Sequence, residues 1–248
     1  MRSRSYAPTS YSIGPGPLTP AVRAIVIATV AGWVLTSAMP ATMIEWFGLT
    51  PADVIERGRI WQPITYLFIH DPLPGLFHIL FNMLAAWMFG VDLERRWGSV
   101  GFVKYYFVTG IGAGLIALMV SLLPLDLARP SYGAATIGAS GAIYGLLLAY
   151  ALFFPHRQII FIIFPLPARI FVLLMAAIAL LGAVSAPGSG VSHVAHLGGA
   201  LVGWLYLKGP TDLRLDLKYR LTKWRMARLR KKFDVHDGGR DDWRNRIH

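Results

Sequence analysis

The sequence predicts an all-α polytopic membrane protein of six transmembrane helices with a long structured first loop. Three observations lead there. Hydrophobic residues make up 55% of the 248 and mean hydropathy is +0.50, more apolar than a soluble domain built round one core. The apolar residues fall into separate runs bounded by proline, glycine and charged clusters, and several runs approach the length a bilayer requires. The 24 Lys and Arg residues concentrate in alternate connections, as the positive-inside rule demands. With no cysteine, disulfides, thiolate chemistry and Cys-ligated metals are excluded, which leaves oxygen and imidazole chemistry.

Residues 1–19 hold Pro, Gly, Ser and Tyr with Arg2 and Arg4 and no acid, a composition expected of a disordered, cytoplasm-facing lead. The run 21–38 is the first span. Residues 39–75 mix proline, glycine, short aromatic clusters and the charges Glu45, Asp53, Glu56, Arg57, Arg59 and Asp71, and are expected to form a structured loop at the interface. A second helix is predicted over 76–91, then a charged turn through Asp92, Glu94, Arg95 and Arg96, then a third helix over 101–123. The fourth begins at Ser140 and must stop before Pro155, which cannot continue the helical ladder. Fifteen residues at ~1.5 Å each span roughly 22 Å against a hydrocarbon core of about 30 Å. If residues 155–157 mark the inner interface, Ser140 lies roughly 8 Å beneath the outer one. Backbone before it would then dip into the membrane, which is tolerated only inside protein or beside a watery cavity.

Residues 158–164, cut by Pro165 and Pro167, read as an interfacial approach to a fifth helix over 169–184. The turn 187–190 leads to a sixth over 191–207. The remainder, 208–248, carries thirteen Lys or Arg against six Asp, so +7 of the net +11 lies in one juxtamembrane tail. Only Arg57, Arg59 and Arg129 face outward in this arrangement, with both termini cytoplasmic. The tail's expected partner is the anionic inner leaflet, at roughly 1 kcal/mol per basic residue near the surface; no nucleic-acid module is present. The chain thus divides into a lead (1–19), a membrane domain (20–207) and a basic tail (208–248).

Helices two, four and six all run inward, so their N-terminal ends share one leaflet, and each starts with polar groups: His78 and Asn82, Ser140, and His193 and His196. Polar groups inside a bilayer are costly and point to function. His78 and Asn82 share a helical face. Gly199, Ala200 and Gly203 follow His196 on its own face, and Gly141 and Gly145 follow Ser140, so two smooth stripes can bring backbones close. A serine between glycines also serves packing alone. Chemistry gives the pairing a further use: an imidazole that accepts the serine proton makes the hydroxyl a nucleophile and later protonates a leaving amine. His78, Asn82 and the unpaired N–H groups at the start of the Ser140 helix are candidate oxyanion donors. None of these helices carries a carboxylate at that level, which implies a dyad. A His70, His78, His193 and His196 metal site is disfavoured, lacking HExxH and a carboxylate ligand, and His193 reads as structural because the glycine stripe aligns with His196.

These residues resemble the rhomboid intramembrane serine proteases. Gly138-Ala139-Ser140-Gly141 resembles the family's GxSG, Ala195-His196-Leu197-Gly198-Gly199 its AHxxG, His78-Ile79-Leu80-Phe81-Asn82 its HxxxN, and Glu94-Arg95-Arg96-Trp97-Gly98 its ExxxG. Tyr144 matches the aromatic that packs on the family's catalytic histidine. Where the family often carries Trp-Arg in the first loop, this chain has Trp61-Gln62, which puts polar anchoring by that arginine in question. The resemblance, over roughly residues 20–207, implies a six-helix rhomboid-like bundle and a Ser140–His196 dyad supported by His78, Asn82, Tyr144 and Gly138. It also implies single-spanning membrane proteins as substrates, cleavage after a small residue, and no cofactor or metal. The alternative is a silent rhomboid-like protein that escorts membrane helices, although such relatives usually lack the serine or histidine. A transporter would need inverted repeats or broken helices that the sequence does not show. The little room before residue 21 for a removable presequence favours a bacterial inner membrane.

Overall fold

The computed structural model describes residues 14–124, 129–161, 164–185 and 193–230. The expected lead over 1–13, the 187–190 turn, the first two residues of the sixth helix and the tail beyond 230 lie outside the described residues. Two units are distinguished, Met1–Leu207 and Lys208–His248.

Helix α1 (Pro20–Ala38) starts with proline at its first position, where the missing N–H costs nothing. Its first-turn donors, which have no partner within the helix, are satisfied from a distance: the Glu94 carboxylate accepts from the N–H groups of Ala21 and Val22, both at 2.9 Å, and from the Thr19 and Ser99 hydroxyls. Gly14–Thr19, part of the stretch expected to be disordered, are held as well. The Gly16 carbonyl accepts from the Trp87 indole and the Pro15 carbonyl from Arg95.

Residues 39–75 form the structured loop expected of them, built from α2 (Pro40–Phe47), α3 (Pro51–Arg57), α4 (Gln62–Thr65) and a 3-10 turn over Tyr66–Phe68. Arg59 is buried at its centre, donating to Asp53 Oδ2 at 2.7 Å and to the Glu45 carbonyl and carboxylate at 2.6 and 3.1 Å, with its guanidinium over the Trp46 ring. Gln62, where the family often carries arginine, is fully buried; it accepts from Thr50 N and donates to the Glu45 carbonyl. A polar anchor is therefore present in this loop, centred on Arg59, three residues before Gln62.

Helix α5 (Leu76–Ser121) contains the second and third predicted helices, separated at Gly98 (φ 74, ψ 164). The turn expected from Asp92 to Arg96 is helical, and the break falls at the glycine, whose positive φ a side chain would resist. Asp92 and Glu94 are buried instead as anchors: Asp92 binds Arg157 at 2.9 Å and Tyr150 at 3.3 Å. After the single turn α6 (Arg129–Tyr132), α7 runs Ser140–Phe153, 14 residues and roughly 21 Å. Its small residues lie on small residues of α5. A Cβ on Gly141 would meet the Ala113 methyl at 2.6 Å, one on Gly145 would meet Thr109 at 2.6 Å, and one on Gly110 would sit 3.2 Å from Ala142. Close backbone approach of this kind carries helix association where burial from water contributes nothing.

The approach expected over 158–164 is an antiparallel hairpin, β1 (Gln158–Phe161) with β2 (Phe164–Pro167). Pro165 and Pro167 are two apart and so face their missing donors the same way, which an edge strand accommodates. Helix α8 (Ala168–Ser185) follows, with only Ala168 and Ala179 buried. Helix α9 (His193–Arg230) departs from helical geometry at Gly209. Among the described residues, α1, α5 and α8 are long and apolar enough to cross a membrane, and α7 is apolar but shorter.

Candidate active site

Ser140 is the first residue of α7, preceded by Gly138 at φ 108. Three strands of contact fix that approach. Leu49 and Thr136 exchange backbone hydrogen bonds at 2.9 and 2.8 Å, Gly138 N donates to the Tyr66 carbonyl at 2.9 Å, and Ala139 N faces His70 Nε2 at 3.4 Å. Tyr66 is in turn tied to α5 through its hydroxyl on the Gly110 carbonyl, at 2.6 Å. The first loop thus dictates where the α7 N-terminus starts.

His196 comes from the first turn of α9, and its Nε2 lies 2.7 Å from Ser140 Oγ. The glycine stripes explain the reach. A Cβ on Gly199 would strike the carbonyl of Gly141, and a Cβ on Gly203 would lie 3.4 Å from the Gly145 Cα, so α7 and α9 touch backbone to backbone. The imidazole is flat on Tyr144, ring centroids 4.4 Å apart and planes 5° from parallel. Tyr144 is itself held by a 3.3 Å bond to the Met175 carbonyl on α8. A hydroxyl in hydrogen-bond contact with an oriented imidazole is the arrangement that lets an alcohol attack an acyl carbon.

A rhomboid domain model matches residues 57–209, more than half of the chain, with Ser140, Tyr144 and His196 inside the match. The chain belongs to the rhomboid family. Similar proteins include the rhomboid protease GlpG of Haemophilus influenzae, 32% identical over 63% of this chain and 72% of that protein. The rhomboid protease AarA of Providencia stuartii is 30% identical over 68% of this chain and 64% of its own length. The mitochondrial rhomboid protein 1 of Saccharomyces cerevisiae is 30% identical over 65% of this chain and 46% of its own, so the chain spans about half the length of that relative. Family membership and the apolar helices together make this an integral membrane protein.

The other expected residues of this rhomboid site are placed unevenly. His78 lies against Gly138: a Cβ there would sit 2.6 Å from His78 Nε2, so glycine is required both for its φ and for the imidazole beside it. Asn82 is buried, and its Nδ2 donates to the His78 carbonyl one turn earlier, at 2.8 Å. One amide hydrogen is thus engaged within α5, and any role toward the serine rests on the other. No hydrogen bond joins His78 or Asn82 to Ser140 among the described residues. His193 stands edge-on to His196, centroids 5.9 Å apart, and its ring fills the place where a Cβ of Gly182 would project.

Two residues near the site have no signal in helical spacing. His70 is fully buried, its ring 4.9 Å from that of His78; burial, followed by the neighbouring His78, lowers its pKa to about 3, so it is neutral. Asp71 contacts His78 Nδ1 through Oδ2 at 2.9 Å. A carboxylate therefore does reach this region, from the loop and onto His78. Both residues belong to an aperiodic segment, and only their adjacency to the proline-rich turn before a polar helix start could have drawn notice.

Proposed function

We propose that this rhomboid is an intramembrane serine endopeptidase that hydrolyses a peptide bond in or near a transmembrane helix of a single-spanning membrane protein. The observation that carries the proposal is the 2.7 Å contact between Ser140 Oγ and His196 Nε2. Ser140 Oγ attacks the carbonyl carbon while its proton passes to His196 Nε2. Collapse of the tetrahedral species expels the amine, which takes that proton, and leaves an acyl ester on Ser140. Water, deprotonated by the same imidazole, then releases the acid and restores the hydroxyl. The stack on Tyr144 holds the ring in plane through both halves. The negative oxygen is met by the free N–H groups at the α7 N-terminus, by His78 and by the second amide hydrogen of Asn82. That the similar proteins GlpG and AarA are rhomboid proteases favours this reading.

Six spans follow if α5 counts as two, divided at Gly98, with α1, α7, α8 and the first part of α9 as the others. The positive-inside rule then sets both termini in the cytoplasm and Ser140 toward the outer leaflet. The basic segment after residue 207 is suited to anionic lipid. Purified protein should cleave a transmembrane reporter and react with a fluorophosphonate at Ser140. Ser140→Ala and His196→Ala should each abolish cleavage while melting near the parent temperature. Cleavage by Ser140→Ala at the parental rate would sink the proposal; a folded parent whose serine stays silent to the probe would favour a helix-binding escort instead.

A further inference from the structure

The connection between α7 and α8 is more apolar than a turn in water requires. Residues 159–168 are all apolar, and the nearest charged side chains are Arg157 before the hairpin and Arg169 after it. Part of the hairpin belongs to the protein: Ile159 and Ala168 are buried in the core, and Arg157 ties its base to Asp92 of α5 at 2.9 Å. The rest is open. Ile160 and Phe164 are each 65% exposed, and Pro165, which pairs with Ile160, is exposed as well.

The backbone fixes which edge lacks donors. Ala168 N donates to the Arg157 carbonyl at 2.8 Å, so position 168 points its N–H toward β1. Direction alternates along a strand. Positions 166 and 164 therefore point inward too, and 165 and 167 point outward. Both outward positions are proline, so the outer edge of β2 presents no N–H there. In water an edge donor is solvated and its removal gains nothing; in hydrocarbon an unpaired N–H is expensive. Prolines also blunt an edge against strand pairing. That use goes with charged side chains that keep the edge wet, whereas the side chains here are those of Phe164 and Leu166. The β1 edge differs. Its outward positions, Gln158 and Ile160, keep their N–H groups, and Gln158 is polar and exposed.

We propose that this hairpin is a membrane seat for the base of α8. The β2 edge, with Phe164 and Pro165, enters the hydrocarbon of the inner leaflet, Ile160 lies at its boundary, and the Gln158 side stays in water. Arg169, exposed at the end of the hairpin, stands at the level of the lipid phosphates. Because α8 begins at Ala168, directly after β2, the depth of the hairpin sets the height of that helix's inner end. The inference rests on α7 and α8 being membrane spans with this connection on the inner side, as proposed above, and not on the protease chemistry.

The chain has no cysteine, so single nitroxide labels can be placed on an unaltered background. Full-length protein in phosphatidylcholine and phosphatidylglycerol vesicles would carry one label at a time, on Phe164→Cys, Ile160→Cys, Gln158→Cys or Ile178→Cys, with thermal melting as the check on folding. Ile178, near the middle of α8 and 47% exposed, reports whether that helix lies in lipid. Collisions with oxygen, which concentrates in hydrocarbon, are compared with those of a water-soluble nickel chelate. The oxygen-to-nickel ratio at 164 should approach that at 178 and exceed that at 158 by about fivefold or more, with 160 between them. Restoring the edge donors with Pro165→Ala/Pro167→Ala should lower the ratio at 164 by about twofold or more as the edge withdraws toward water. A label at 164 as open to nickel as that at 158, beside a lipid-exposed 178, overturns the seat and leaves the spans standing. A label at 164 shielded from both reagents also overturns it, since protein, whether the basic tail or a second copy, then covers the rim. A label at 178 open to nickel overturns the span reading and the seat with it. Unchanged depth in the double proline variant overturns the part given to the missing donors.

Discussion

Gly199→Ala is the smallest change that should separate the serine from its imidazole. The added methyl would lie inside the van der Waals envelope of the Gly141 carbonyl oxygen, with the Gly141 carbon and Cα behind it. All three atoms are backbone, at the second residue of α7, so no side chain can rotate away. Reaching an ordinary separation of about 3.5 Å requires α9 to retreat from α7 by roughly one and a half ångströms. His196 is three residues earlier on α9 and moves with it, stretching the 2.7 Å contact to Ser140 beyond hydrogen-bond range. A misplacement of about 1 Å costs around 10²-fold in rate, and overpacking costs roughly 1–3 kcal/mol in stability. The neighbouring glycine supplies the control. A Cβ on Gly198 would meet the Ile116 Cβ and Cγ2 at 3.1 and 3.2 Å, so a shift of only a few tenths of an ångström relieves it. Reporter cleavage should therefore fall about 100-fold in Gly199→Ala and less than about fivefold in Gly198→Ala, with fluorophosphonate labelling following the same order. Gly199→Ala cleaving within about threefold of the parent would refute backbone contact between α7 and α9 as the device that aligns the pair.

Tyr144→Phe should keep most activity, because the stacked ring rather than the 3.3 Å hydroxyl bond orients His196, whereas Tyr144→Ala should lose about tenfold or more in kcat with little change in KM. Arg59→Met should lower the melting temperature in detergent, by about 2–4 kcal/mol of stability, since it strips Asp53 and Glu45 of their shared cation; Asp53 keeps Arg57 at 3.0 Å, which limits the loss. His70 carries a pH dependence whose sign follows from its lowered pKa of about 3. Below pH 6.5 the unfolded chain protonates this ring while the folded one does not, so stability falls as pH drops from 6.5 toward 3. His70→Gln should flatten the stability profile in that window by up to about 1.4 kcal/mol per pH unit, and a profile with the parental slope would exclude His70 as its source.

What the sequence made legible was governed by periodicity and by proline. The α7 bounds follow from Ser140 and Pro155, and the structure ends the helix at Phe153 as proline sterics demand. Ser140, His196 and Tyr144 fall on helices whose apolar background makes a polar residue stand out, and all three are together. The first loop behaves differently. Arg59, His70 and Asp71 lie in irregular backbone, where no period relates sequence distance to spatial distance. Gln62 in place of arginine suggests a missing anchor, yet Arg59, three residues away across a turn, supplies a buried cation to the same loop. The hairpin after α7 was hidden for another reason: Pro165 and Pro167 suggest a breaker, and only the paired strand reveals that both can face an open edge.

Packing is distributed unevenly, dense where the helices that carry the pair meet and sparse on α8. The Ser140–His196 pair is set by α5, α7 and α9, which meet through Gly110, Gly141, Gly145, Gly199 and Gly203, positions where even a methyl collides with a neighbour. Backbone against backbone has no rotamers to relax, so the 2.7 Å contact is as stiff as the helices themselves. α8 is the counterpart. Leu180, Leu181 and Val184 toward its C-terminal end are 56%, 68% and 65% exposed, and its firmest ring contact to α5, Phe171 on Phe89, lies near its start. A substrate helix must reach Ser140 sideways if it is to be cut within a membrane, and the wall that yields must not carry the dyad. α8 carries neither Ser140 nor His196, and reaches the site through the long Tyr144–Met175 bond and through Gly182 against His193. A disulfide tying the C-terminal part of α8 to the start of α5 is accordingly expected to stop cleavage of a transmembrane reporter while leaving fluorophosphonate labelling of Ser140 intact; loss of both together would place the effect on the dyad and not on access.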